Sequence, residues 1–107
     1  MEKMSYEFPA GAPARGRALA GVVGSGDLEV LLEPGLDGVT TVAICTSVDG
    51  MNAVWQTLLE RILKADASTV DPLPAVRLDI NDFGATPGVV RLRIEQAFDE
   101  LKLELEP

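Results

Sequence analysis

Apolar and polar side chains alternate along several stretches of the chain. Leu28, Val30 and Leu32 are interleaved with Glu29, Leu31 and Glu33, and Val76, Leu78 and Ile80 with Arg77, Asp79 and Asn81. A period of two sends the two sets to opposite faces of a pleated strand, so both stretches read as strands with one buried face. Arg17 to Gly24 places Ala18, Ala20 and Val22 on one face, and Val39 to Val48 does the same with Val42, Ile44 and Val48. A weaker signal predicts a short strand at Ser5 to Phe8, followed by the small-residue loop Pro9 to Ala14. A mobile arm over residues 1–16 explains that region equally well.

The period then changes. Trp55, Leu58, Leu59 and Ile62 recur at i, i+3, i+4 and i+7, which predicts a helix from about Asn52 to Lys64. Val90, Ile94, Ala97, Phe98 and Leu101 form a second stripe. Its helix begins at Thr86-Pro87, an N-cap residue followed by proline at the first helical position. Arg91 and Glu95 sit four apart on the solvated side. Glu33 to Gly38 and Asp49-Gly50 read as turns, and residues 65–75 as a polar, proline-containing loop.

The order β-β-β-α-β-α, with an optional extra N-terminal strand, predicts an α+β fold in a single domain, residues 1–107. It is a two-layer sandwich: a mostly antiparallel four-stranded sheet with two helices on one face. Counting strand directions puts the tip of the first hairpin, the Asp49-Gly50 turn and the Asn81 to Gly88 loop at the same end. That end is the place to look for function. At the hairpin tip, Gly24-Ser25 suits a two-residue type II′ turn with glycine at the first central position. A three- or four-residue loop around Gly26 is the competing register. In either register Ser25 lies at or beside the tip.

Composition narrows the chemistry. With 107 residues, 47% of them hydrophobic, the chain suits one small core. A net charge of -8 disfavours nucleic acid and anionic membranes and favours docking on basic patches of other proteins. No apolar run approaches the roughly 20 residues that span a bilayer. Met1 to Ser5 leads into no apolar secretory core. The single Cys45, with no partner for a disulfide, fits a reducing cytoplasm, and its place beside Ile44 in a strand reads as a small buried apolar residue. There is no histidine. That removes Ser-His-Asp and Cys-His nucleophiles and most transition-metal sites, so neither a catalytic residue nor a metal site is expected here.

A covalent carrier needs a hydroxyl held outward on a rigid post, with neighbours small enough for a modifying enzyme to reach the oxygen. Gly24, Ser25, Gly26 and Asp27 supply such a hairpin, although read alone the four residues favour plain turn chemistry. A wider pattern alters the balance. The stretch from Phe8-Pro9-Ala10-Gly11-Ala12-Pro13 through Val22-Val23-Gly24-Ser25-Gly26-Asp27-Leu28 to Glu33-Pro34 closely resembles the malonate decarboxylase delta subunit family. So does a second block, Asp82-Phe83-Gly84-Ala85-Thr86-Pro87-Gly88 to Arg93. The middle, about Gly35 to Pro74, is similar only in pattern. The Ser-Gly-Asp core is also similar to the citrate lyase acyl carrier, against which the Asp82 to Gly88 block argues.

The resemblance implies an acyl carrier subunit that is not itself an enzyme. It implies a phosphodiester from Ser25 to 2'-(5''-phosphoribosyl)-3'-dephospho-CoA, a phosphopantetheine-type arm whose thiol holds acetyl or malonyl. The implied partners are a prosthetic-group transferase and the acyl-transferase and decarboxylase subunits of one complex. Beside Ser25, Asp27 is either read by basic residues of the loading enzyme or is a plain turn-flanking acid. It cannot grip a phosphodiester, because two anions repel. Arg17 is excluded as a phosphate clamp, since eight residues of strand put it on the order of 26 Å away. The Thr86-Pro87-Gly88 helix start offers free N–H groups to an anion, but an ordinary capped helix explains it too. Glu29 and Glu33 read as a solvated strand face, and Trp55 as core. A non-covalent adaptor domain is the alternative from another class.

Overall fold

In the computed structural model, residues 1–63 and 73–105 are described, with side chains through Leu101. Five strands and two helices follow in the order β1 (Glu2–Pro9), β2 (Ala18–Gly21), β3 (Leu28–Pro34), β4 (Val39–Thr46), α1 (Asn52–Leu63), β5 (Val76–Asp82) and α2 (Pro87–Leu105). The strands form one sheet in the order β1-β4-β5-β3-β2. Three of its pairings are antiparallel and one, β4 with β5, is parallel. Parallel neighbours need a crossover, and α1 lies on it.

The α+β class and the two helices hold, but the sheet has five strands rather than four. The difference is β1. Of the two readings of residues 1–16, the strand is the one formed over Glu2 to Pro9, which pair along all of β4. The following loop is pinned where the Gly11 amide donates to the Leu73 carbonyl and the Ala14 amide to the Ala75 carbonyl, both at 2.9 Å. β1 is an edge strand, so its Lys3, Ser5 and Glu7 point to solvent while Met4, Tyr6 and Phe8 face the helices. Half of its residues therefore look like loop.

Register explains why the core is continuous. Tyr6, Val42, Leu78, Leu32 and Ala18 fall in one row across all five strands, and Met4, Ile44, Ile80, Val30 and Ala20 in the next. Both rows face the helices. The alanines of β2 keep that edge thin beneath α2, which packs on β2 and β3, while α1 packs on β1 and α2. Ile94 and Leu59 carry the helices' burial and are fully enclosed. The Tyr6 hydroxyl, donating to the Asn52 side chain, ties the start of α1 to β1.

Several strand expectations ran too long. Val22 is exposed because β2 ends at Gly21, and Val48 is exposed because β4 ends at Thr46. Cys45 is half-buried rather than core, since odd positions of β4 face the side of the sheet without helices. The polar loop expected at 65–75 and the expected helix end at Lys64 fall largely on residues 64–72, outside the described residues.

The rows predict where truncation hurts. Ile80→Ala, at the sheet's centre, should cost about 2–5 kcal/mol in chemical denaturation. Ala43→Ser, on the uncovered face, should cost less than about 0.5 kcal/mol.

Candidate functional site

Because β4 and β5 run parallel and β3 runs antiparallel to β5, three connections meet at one end of the sheet. They are residues 22–27 between β2 and β3, 47–51 between β4 and α1, and 83–86 between β5 and α2. The end of β5 holds the other two. The Ser47 amide donates to the Asp82 carbonyl at 3.1 Å on one side. On the other, the Gly26 amide donates to the Phe83 carbonyl at 2.8 Å and the Phe83 amide to the Asp27 carbonyl at 2.9 Å. The β3–β5 ladder thus continues past Leu28 and Asp82 into the hairpin loop.

That continuation decides the turn. The Asp27 amide donates to the Gly24 carbonyl at 3.1 Å, with Ser25 and Gly26 in the centre. Gly26 has φ of 78°, while neither Gly24 nor Ser25 has positive φ. This is a type II turn with Ser25 at the first central position and glycine at the second. The type II′ turn at Gly24-Ser25 is therefore wrong, and the loop around Gly26 is the one formed. Ser25 is exposed at its tip. Gly21 closes the loop's base: at φ 85°, a Cβ there would stand 1.9 Å from the Leu28 carbonyl oxygen. No other residue type fits that position without moving the backbone.

Asp27 turns inward. Its carboxylate accepts from Arg93 twice, Nε to Oδ1 at 3.1 Å and Nη2 to Oδ2 at 2.7 Å, and from the Leu28 amide at 2.7 Å. The hydrogen bonds from Arg93, then that from Leu28, hold its pKa below the usual 3.8. The same pairing raises the pKa of the guanidinium. A two-pronged pair restrains orientation as well as distance, so α2 grips the turn from behind. The Asp27 charge is also answered locally, which lessens its repulsion of any anion at Ser25.

Asp82 is the second acid missed as a structural part. It is buried, accepting from the Thr46 hydroxyl at 2.8 Å and from the Ala85 amide at 3.0 Å. The Val48 amide in turn donates to Thr46 Oγ1 at 3.0 Å. One side chain thereby joins the β4–α1 and β5–α2 loops. Thr86 caps α2 as expected, accepting from the Val89 amide at 3.3 Å. Arg17 pairs with Glu33 at the far end of the sheet, consistent with its exclusion as a clamp. Arg93 carried a readable signal: it lies three after Val90 and four before Ala97, on the edge of the buried stripe. Its neighbour Leu92 is the exposed one, so hydropathy alone misassigns the pair.

Between the starts of α1 and α2 a groove of about 240 Å³ opens at this end, lined by Val48, Met51, Val54, Trp55, Ala85 and Pro87.

Known proteins match this chain along most of its length. The family model described as malonate decarboxylase delta subunit (MdcD) matches residues 15–101, including the middle stretch that is similar only in pattern. A protein of Pseudomonas fluorescens named malonate decarboxylase acyl carrier protein is 58% identical over 101 residues, covering 94% of this chain and 97% of that one. The protein of the same name from Pseudomonas aeruginosa is 58% identical over 100 residues, covering 94% and 96%. A chain in the crystal structure of a Pseudomonas malonate decarboxylase hetero-tetramer in complex with malonate superposes with a TM-score of 0.85. It is 57% identical, with 94% of this chain and 99% of that one covered.

The Asp27–Arg93 pair sets a pH dependence. A depressed carboxylate pKa contributes stability that is complete above about 3.8 and lost as pH falls through the lower folded value. In an NMR titration, the Leu28 amide shift should report a midpoint below 3.8. Arg93→Ala should move that midpoint up towards it. An unchanged midpoint would show that the Leu28 amide, not Arg93, sets the carboxylate.

Proposed function

The chain belongs to the malonate decarboxylase delta subunit family, and from that premise we propose that it is the acyl carrier subunit of a malonate decarboxylase, with Ser25 as its attachment point. The observation that supports Ser25 is its position: an exposed hydroxyl at the first central position of a turn, whose base is hydrogen-bonded to the end of β5. Gly24 and Gly26 leave the hydroxyl accessible from both sides, and Gly26 supplies the positive φ that lifts it outward. Asp27 acts through Arg93 to hold the loop rather than touching the attached group.

The group that fits this post is 2'-(5''-phosphoribosyl)-3'-dephospho-CoA, joined to Ser25 Oγ through a phosphodiester. When bound, it supplies a thiol that holds acetyl or malonyl as a thioester. The chain's own residues supply the post and its orientation. With no histidine in the chain, the base that activates Ser25 belongs to the prosthetic-group transferase that loads it. Acyl exchange and decarboxylation belong to partner subunits, in the cytoplasm. Tethering raises the acyl group's local concentration at each partner site (mM for short flexible linkers).

Ser25→Ala should fold with an unchanged melting temperature and still assemble with the other subunits. The assembled complex should release no carbon dioxide from malonate above background. A Ser25→Ala complex that decarboxylates malonate normally would contradict the proposal.

A further inference from the structure

The surface around Ser25 differs from the rest of the molecule. In the three loops that meet there, residues 22–27, 47–51 and 83–86, Asp27 and Asp49 are the charged side chains, and Asp27 is already paired with Arg93, although 24% of the chain is charged. In place of charge there are exposed apolar groups: Val22 at 57% exposure, Val23 at 65%, Val48 at 40% and Val54 at 43%. Val48, Met51 and Val54 line the groove between the helix starts, as does Gly84, where an added Cβ would stand 4.0 Å from the Gly26 amide nitrogen of the turn. Val22 and Val23 lie in the hairpin loop itself, just before Ser25. Apolar side chains therefore occur both on the hairpin loop and in the groove beside it.

We infer that this apolar collar is the docking surface for the enzyme that esterifies Ser25, which meets it with an uncharged, apolar rim around its active site. The inference rests on the carrier reading of Ser25. Its physical basis is reach. A catalyst acting on Oγ must bring its own atoms to bonding distance of the turn, so it necessarily covers Val22 and Val23 on one side and the groove mouth on the other. Subunits that act on the far end of an attached arm can stand off by the arm's length and need not touch the collar. Apolar side chains around the contact point gain by leaving water, whereas the chain's net charge of -8 finds no opposite charge on an uncharged rim and contributes little.

The test is the rate of adduct formation at Ser25, followed by intact mass, with purified loading enzyme and an arm donor activated as a phosphoric anhydride. Oγ attacks the donor phosphorus, the anhydride P–O bond breaks to release the leaving phosphate, and the Oγ proton passes to the loading enzyme's base. Val23→Asp and Val48→Asp should each raise the KM for the carrier by about tenfold or more, because a carboxylate would be stripped of water at the contact. The kcat should stay within about twofold, since Oγ is unmoved. Val23→Ser and Val48→Ser should give smaller rises in the same direction, and melting curves confirm that all four variants fold. Leu36→Asp, 75% exposed in the turn between β3 and β4 at the opposite end, should leave KM unchanged. Wild-type KM should be flat from low ionic strength to about 0.15 M. If both aspartate variants keep the wild-type KM and that KM climbs with salt, docking is electrostatic and the collar is not the surface. If the wild-type chain takes no adduct at Ser25 at all, the carrier reading and the collar fall together.

Discussion

The backbone at the end of β5 holds the Ser25 end of the molecule together. Asp82 and Phe83 offer two carbonyls and one amide beyond the last ladder pair, and each is used by a neighbouring loop: Ser47 on one side, Gly26 and Asp27 on the other. Buried backbone polar groups have to be paired, so these bonds leave the loops little freedom. β5 is the strand that pairs with both β4 and β3. The Ser25 turn therefore inherits the rigidity of the sheet's centre although it belongs to the outermost hairpin.

Two acids then fix what the backbone bonds leave loose. Asp82 reaches sideways to Thr46, its neighbour across the parallel pairing, and forward to Ala85, tying down the two loops that flank the groove. Asp27 reaches back to Arg93 and ties the hairpin to α2. Both carboxylates are committed to structure. The end of the sheet is thus a stiff platform from whose hairpin tip Ser25 projects. Such a platform suits a chain that delivers a group for other proteins to act on.

Much of this is legible in local pattern. Period-two alternation marks Leu28 to Leu32 and Val76 to Ile80 as strands, and spacing of three and four marks both helices, because burial of one face leaves those periods in the sequence. Counting directions then brings the three loops together. What local pattern does not carry is partnership at a distance. Gly24 and Gly26 both offer positive φ, and the choice between them is made by Phe83, far along the chain. Asp27 and Arg93 are 66 residues apart, so nothing near either one announces the pair. β1 is obscured for another reason: an edge strand with polar residues on its open face resembles a loop.

The central claim is that one hydroxyl on this platform carries the attached group. Fragment mass spectrometry tests it most directly, on the chain co-produced with the enzymes that load it. The account predicts a single adduct, confined to fragments that contain Ser25. An adduct mapped instead to Ser5 or Ser47, or a fully loaded chain with Ser25 unmodified, would contradict it.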